Sequence, residues 1–128
     1  MEVEDCYLMN ELIESIFQNF VVDGISIPVC FLYYHGHGEP YITYMLEDTE
    51  NAFSADDGLR AYVEYYDFDV YSKTNFYAII ERVKELLTAN GFVWQASRTS
   101  SDMYEEDTGY FHRTLSFAFI RKGELNNG

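Results

Sequence analysis

The chain has 128 residues, of which 22 are acidic and eight are basic, giving a formal net charge of −14. Apolar residues make up 48% of it, enough to fold around a core without disulfides or metals. The negative charge disfavours binding to nucleic acid and anionic membranes. The acidic N-terminus, and the absence of any apolar run of roughly 18 residues, predict a soluble protein that is neither exported nor membrane-spanning.

The chain is rich in aromatic residues, with twelve tyrosines and ten phenylalanines. Tyrosine joins a large apolar ring to a polar tip, which suits surfaces that become buried when subunits assemble. A tyrosine-rich face of a β-sheet explains any single tyrosine equally well.

In the N-terminal half, apolar residues recur at three- and four-residue steps and predict an amphipathic helix over residues 5–20. A strand is expected from Ile27. The glycine-rich segment 35–38 predicts a hairpin connection into a second strand, Tyr41 to Glu47. The polar residues 48–58 predict a loop.

In the C-terminal half, a long strand is expected from Leu59 to Tyr71. A second helix follows, with Ser72 or Thr74 as its N-cap and Asn90-Gly91 as its end. Two strands close the chain, at 92–98 and 110–121, with an acidic loop between them.

These elements predict a single α+β domain over residues 1–128, in the order α-β-β-β-α-β-β. The sheet should be mainly antiparallel, with about four to five strands and both helices on one face. In the long strand, Tyr66, Phe68 and Val70 alternate with Asp67 and Asp69, so the two sets should point to opposite faces.

Three groups of residues are candidate sites of chemistry. His35 and His37, near Cys30, suggest a metal site, but the glycine between them and the glycine that follows favour a turn. Cys6 and Cys30 fit no metal spacing and are expected to be reduced thiols. The acidic loop around Asp102 lacks the pattern of a calcium loop and is expected to be solvated or in contact with another subunit.

No nucleophile or phosphate-binding motif is present, so the sequence predicts no catalytic residue, metal or cofactor.

Two segments resemble a known family. DFDVYSKTNFYAIIERVKELLTANGF (67–92) resembles the strand-to-helix unit of small tail proteins from long-tailed phages and prophages of Gram-positive bacteria. MYEEDTGYFHRTLSFAFIRKG (103–123) resembles the closing hairpin of the same group. Together the segments cover a little over a third of the chain.

The resemblance implies a tail-terminator role, also called tail completion. In that family a small α/β subunit forms a hexameric ring that ends polymerisation of the major tail tube protein and meets the head-completion proteins. It implies a virion protein of the tail or neck, present in the host cytoplasm during assembly, with no catalytic residues. DNA would pass through the lumen without specific binding. The expected subunit or partner contacts are Asp67, Asp69, Tyr71, Asp102, Tyr104, Glu105, Glu106 and Asp107, together with the segment Glu47 to Asp57.

Three alternatives stay open on the sequence alone. The first is a head-completion or connector protein of the same neck. The second is an intracellular ligand-binding or regulatory α+β domain. The third is a metal-dependent hydrolase that uses the histidines.

Overall fold

The computed structural model describes residues 3–36, 38–54 and 60–123. Its helices are α1 (Val3–Ile16) and α2 (Tyr77–Ala89). Its strands are β1 (Val21–Val22), β2 (Ile25–Ser26), β3 (Val29–Phe31), β4 (Tyr41–Ser54), β5 (Arg60–Ser72), β6 (Val93–Trp94), β7 (Met103–Glu105) and β8 (Tyr110–Gly123). The predicted α+β class is confirmed, although the main sheet has six strands where about four to five were expected.

The main sheet has the order β3-β4-β5-β8, and β6 and β7 both pair with β8. All of these pairings are antiparallel except that of β3 with β4, which is parallel. The prediction of a hairpin at residues 35–38 is therefore wrong. Because the strands are parallel, the segment must carry the chain back to the start of β4. Tyr34 packs against Tyr41 there, and a Cβ on Gly36 would lie 2.0 Å from the Tyr34 ring.

Both helices bury their apolar side chains against the same face of the sheet, as expected. Ile13 of α1 and Val83 of α2 lie in one core with Phe68 at its centre. Tyr66, Phe68 and Val70 are buried there, whereas Asp67 and Asp69 point to the opposite face, so the predicted alternation in β5 is confirmed.

Two predicted loops contain strands. The prediction of a loop at 48–58 is wrong for residues 48–54, because β4 continues to Ser54 alongside β5. The pairing shifts register twice, at Leu46/Asp48 and at Asn51/Phe53. Residues 55–58 lie outside the described part of the chain. The expected acidic loop contains β7, which pairs with β8.

The expected strand at 92–98 is shorter than predicted. Val93 and Trp94 pair with β8, and a one-turn 3-10 helix, Ala96–Arg98, follows. The Thr99 hydroxyl then accepts a hydrogen bond from the Ser116 amide at 3.1 Å. The Thr99 side chain thus accepts the β8 amide that a backbone carbonyl of a neighbouring strand would otherwise accept. The backbone after Trp94 can therefore leave the sheet without an unpaired amide on Ser116.

The helix ends depart from the prediction in detail. α1 ends at Ile16 instead of residue 20. Neither Ser72 nor Thr74 caps α2. Instead the Asn75 side chain accepts a hydrogen bond from the Tyr77 amide at 2.9 Å. The end of α2 is as predicted, since Gly91 has a φ of 91°.

Candidate interaction surface

The face of the sheet opposite the helices is called the open face here. Cross-strand register places its side chains in three rows along β4, β5 and β8. The rows are Tyr41–Tyr71–His112, Thr43–Asp69–Thr114 and Met45–Asp67–Ser116. The open face therefore brings together Asp67, Asp69 and Tyr71 from the predicted contact set.

The first row is a stack of aromatic rings. The centroids of Tyr41 and Tyr71 are 4.5 Å apart with an interplanar angle of 12°, and those of Tyr71 and His112 are 4.2 Å apart at 15°. Tyr110 meets both tyrosines edge-on. Burial is the main cause of a raised pKa at Tyr71 and at Tyr41, so both hydroxyls stay protonated near neutral pH. The row is an ordered, amphipathic strip of the kind that suits protein contacts.

His112 connects three strands through its two ring nitrogens. Nε2 lies 3.0 Å from Oδ1 of Asp69 on β5, and Nδ1 lies 3.4 Å from Oε2 of Glu105 on β7. Thr114 donates a short hydrogen bond to the same Asp69 oxygen. Each ring nitrogen therefore faces a carboxylate. The two carboxylates lie on opposite sides of the ring, so the cluster braces the sheet and does not converge on a bound ion.

Negative charge is concentrated around Asp67 of the third row. The pKa of Asp67 is raised to about 6, first by burial and then by the nearby carboxylates of Glu47 and Asp69. Arg98 partly opposes this shift. Its guanidinium lies 3.8 Å from the centroid of the Tyr65 ring and 2.7 Å from Glu47. Ionisation of Asp67 at neutral pH therefore lowers the free energy of unfolding.

The other predicted contact residues lie elsewhere. Asp102 accepts a short hydrogen bond from the Tyr77 hydroxyl of α2, and Tyr104 packs on Phe111 with ring centroids 5.0 Å apart. Glu106 and Asp107 are exposed in the turn between β7 and β8. The acidic segment is thus divided, with Glu105 reaching the open face and the rest at the β7 edge of the sheet.

Sequence reasoning did not identify His112 as part of this surface. The alternation of β8 does carry a signal, since His112, Thr114 and Ser116 alternate with buried Leu115 and Phe117. What alternation cannot supply is the register, which places His112 beside Tyr71.

Within residues 3–36, 38–54 and 60–123, no group of three or more His, Cys, Asp or Glu side chains is arranged to hold a metal ion. His37 lies outside these ranges. Over the same part of the chain, neither helix is long and apolar enough to cross a bilayer. Thr43 and Ser116 of the other two rows are buried, so the open face is partly covered. What it offers chemically is a strip of ordered, half-buried aromatic rings beside a cluster of carboxylates, which suits contact with another macromolecule.

No family model matches the chain, and no curated protein matches it significantly.

Proposed function

We propose that the chain is a structural subunit of a phage virion, a tail terminator. In this role copies form a ring, expected to be a hexamer, on the end of the tail tube, end its polymerisation and join the tail to the head-completion proteins. The observation that carries the proposal is the open face, where an aromatic strip lies beside a carboxylate, Asp67, that destabilises the fold when it is ionised.

The charge at Asp67 supports a role outside the fold. A side chain that lowers stability is retained where function requires it, because stability and function often oppose each other at such sites. Facing the lumen of a ring, Glu47, Asp67 and Asp69 would repel the phosphates of passing DNA and let it slide without being held. Facing a protein, the same carboxylates would select basic partners.

The two segments that carry the family resemblance also lie together in space. The first includes β5 and α2, and the second includes β7 and β8. β5 and β8 pair along their whole shared length, from Arg60↔Gly123 to Ser72↔Phe111. The resemblance therefore refers to one contiguous structural unit, the centre of the sheet with the helix that covers it.

Purified major tail tube protein from the same phage provides the test. We expect the chain to shorten tubes that polymerise in its presence, and to add visible density at one tube end in electron micrographs, because a capped end no longer grows. An unrelated acidic protein of similar size and charge is the control. Unchanged tube lengths and bare ends would overturn the proposal, and binding to purified heads in place of tubes would favour the head-completion alternative.

A further inference from the structure

A strained and exposed turn follows β3. Phe31, Leu32 and Tyr33 are 47%, 55% and 64% exposed. Leu32 has a φ of 70°, and the Tyr33 amide donates a hydrogen bond to the Phe31 carbonyl at 2.9 Å, which defines a γ-turn of the rare positive-φ kind. Strain of this kind, at a residue whose apolar side chain points into solvent, marks a functional contact. These three residues are called the apolar turn.

A shallow groove lies at the other edge of the sheet, between the start of α2 and the β7–β8 hairpin. It has a volume of about 360 Å³ and is lined by Thr74, Asn75, Phe76, Tyr77, Asp102 and Phe111. Tyr77 and Phe111 are each at least 40% exposed. This is called the apolar groove, and its walls are large aromatic side chains that leave room for another apolar residue.

The two surfaces lie on opposite edges of one sheet. The apolar turn continues from β3, the edge strand beside β4, whereas the apolar groove borders β7 and β8 beyond β5. The two surfaces are built from different residues, so neither is matched to a second copy of itself. A pair of different patches on opposite sides of a subunit is what head-to-tail contacts in a ring require.

The charges near the two surfaces also allow copies to meet. The chain has 22 acidic residues, yet no carboxylate occurs between Asp23 and Glu39, the segment that contains the apolar turn. His35 packs edge-on against Tyr33, with centroids 4.8 Å apart, and is exposed. The apolar groove has Asp102 at its side. Asp102 also lies 3.7 Å from the Arg113 guanidinium, so the groove carries little net charge. A contact between this groove and a segment without carboxylates therefore avoids the repulsion expected between most surfaces of this chain.

We infer that the apolar turn of one copy inserts into the apolar groove of the next, making the repeating contact of the assembly. This inference rests on the proposed ring-forming role and identifies the surfaces that would build it. The three residues of the turn expose on the order of 300 Å², well below the roughly 800 Å² per partner of a stable interface. The contact is therefore weak in free solution, and added salt strengthens it by screening repulsion between chains of charge −14.

Cross-linking detects such a weak contact directly. Cys6 and Cys30 are first replaced by serine, and His35→Cys, beside the turn, is mixed with Thr74→Cys, at the groove. A short bis-maleimide is added at low and high salt. We expect the mixture to give a cross-linked dimer with a yield that rises with salt, because each variant supplies one half of the contact. Either variant alone should give about tenfold less.

Two further variants make the outcome decisive. Leu32→Asp, which suits the positive φ, should reduce the cross-link about tenfold by placing a charge in the apolar groove. Val93→Asp adds the same charge at a 52% exposed position outside both surfaces and should leave the yield unchanged. Equal yields from mixed and unmixed samples, or no effect of Leu32→Asp, would overturn the inference. Tube capping that persists in that case would retain the proposed function with a different interface.

Discussion

We expect Asp67→Asn to raise the free energy of unfolding by about 1–3 kcal/mol at pH 7.5, measured by urea denaturation. The pKa of Asp67 is raised from 3.8 to about 6 in the folded chain, so the folded state holds this proton more tightly than the unfolded state does. Protonated Asp67 makes its full contribution to the free energy of unfolding below pH 3.8, and this contribution is lost as the pH rises through 6. Asparagine has no proton to lose, so the advantage of the variant should appear between these pH values and disappear in acid.

Asp69→Asn is the matched control, one row away on the same face. Asp69 accepts hydrogen bonds from His112 and Thr114, so replacing its carboxylate weakens two bonds to an ionised acceptor. We expect this variant to lose about 1 kcal/mol, the opposite sign to Asp67→Asn. If both variants shift stability in the same direction at pH 7.5, the assignment of an unfavourable charge to Asp67 is wrong.

Phe68→Ala should lower the free energy of unfolding by about 3–5 kcal/mol. Phe68 is completely buried and contacts rings from both layers, with centroids 5.7 Å from Tyr44, 5.8 Å from Phe117 and 6.0 Å from Phe17. Alanine would leave a cavity where the helices meet the sheet.

Ile120→Ala removes apolar atoms from a side chain that is 57% exposed, and should change the free energy of unfolding by no more than about 0.5 kcal/mol. Thermal or urea denaturation of the two variants measures the difference. A loss of less than about 1 kcal/mol for Phe68→Ala would place the core elsewhere.

Much of the fold follows from local patterns in the sequence. The two-residue alternation of Tyr66, Phe68 and Val70 with Asp67 and Asp69 predicts both faces of β5, and the Asn90-Gly91 pair predicts the end of α2. These features depend on neighbouring residues and backbone preference alone. They were predicted correctly for that reason.

The errors arise where distant residues decide the structure. Glycines at 36 and 38 favour a turn, but nothing local shows that the strands on either side run parallel. Likewise the polar residues of β4 before Ser54 form a strand because β5 offers a continuous partner, which outweighs their weak strand preference.

The candidate surface shows the same division. Alternation was enough to group Asp67, Asp69 and Tyr71 on one face. His112 is 43 positions from Asp69 in the chain, and their contact depends on the register of β5 against β8. No local pattern gives that register, so the histidine that joins Asp69 to Glu105 could be recognised only in the folded structure.

We propose that this chain ends the growth of a phage tail and joins it to the head. Deleting its gene from the phage that encodes it, and measuring tail lengths by electron microscopy, tests the claim most directly. The proposed role predicts abnormally long or unjoined tails, restored to normal by the intact chain supplied in trans. Tails of normal length attached to heads would contradict it.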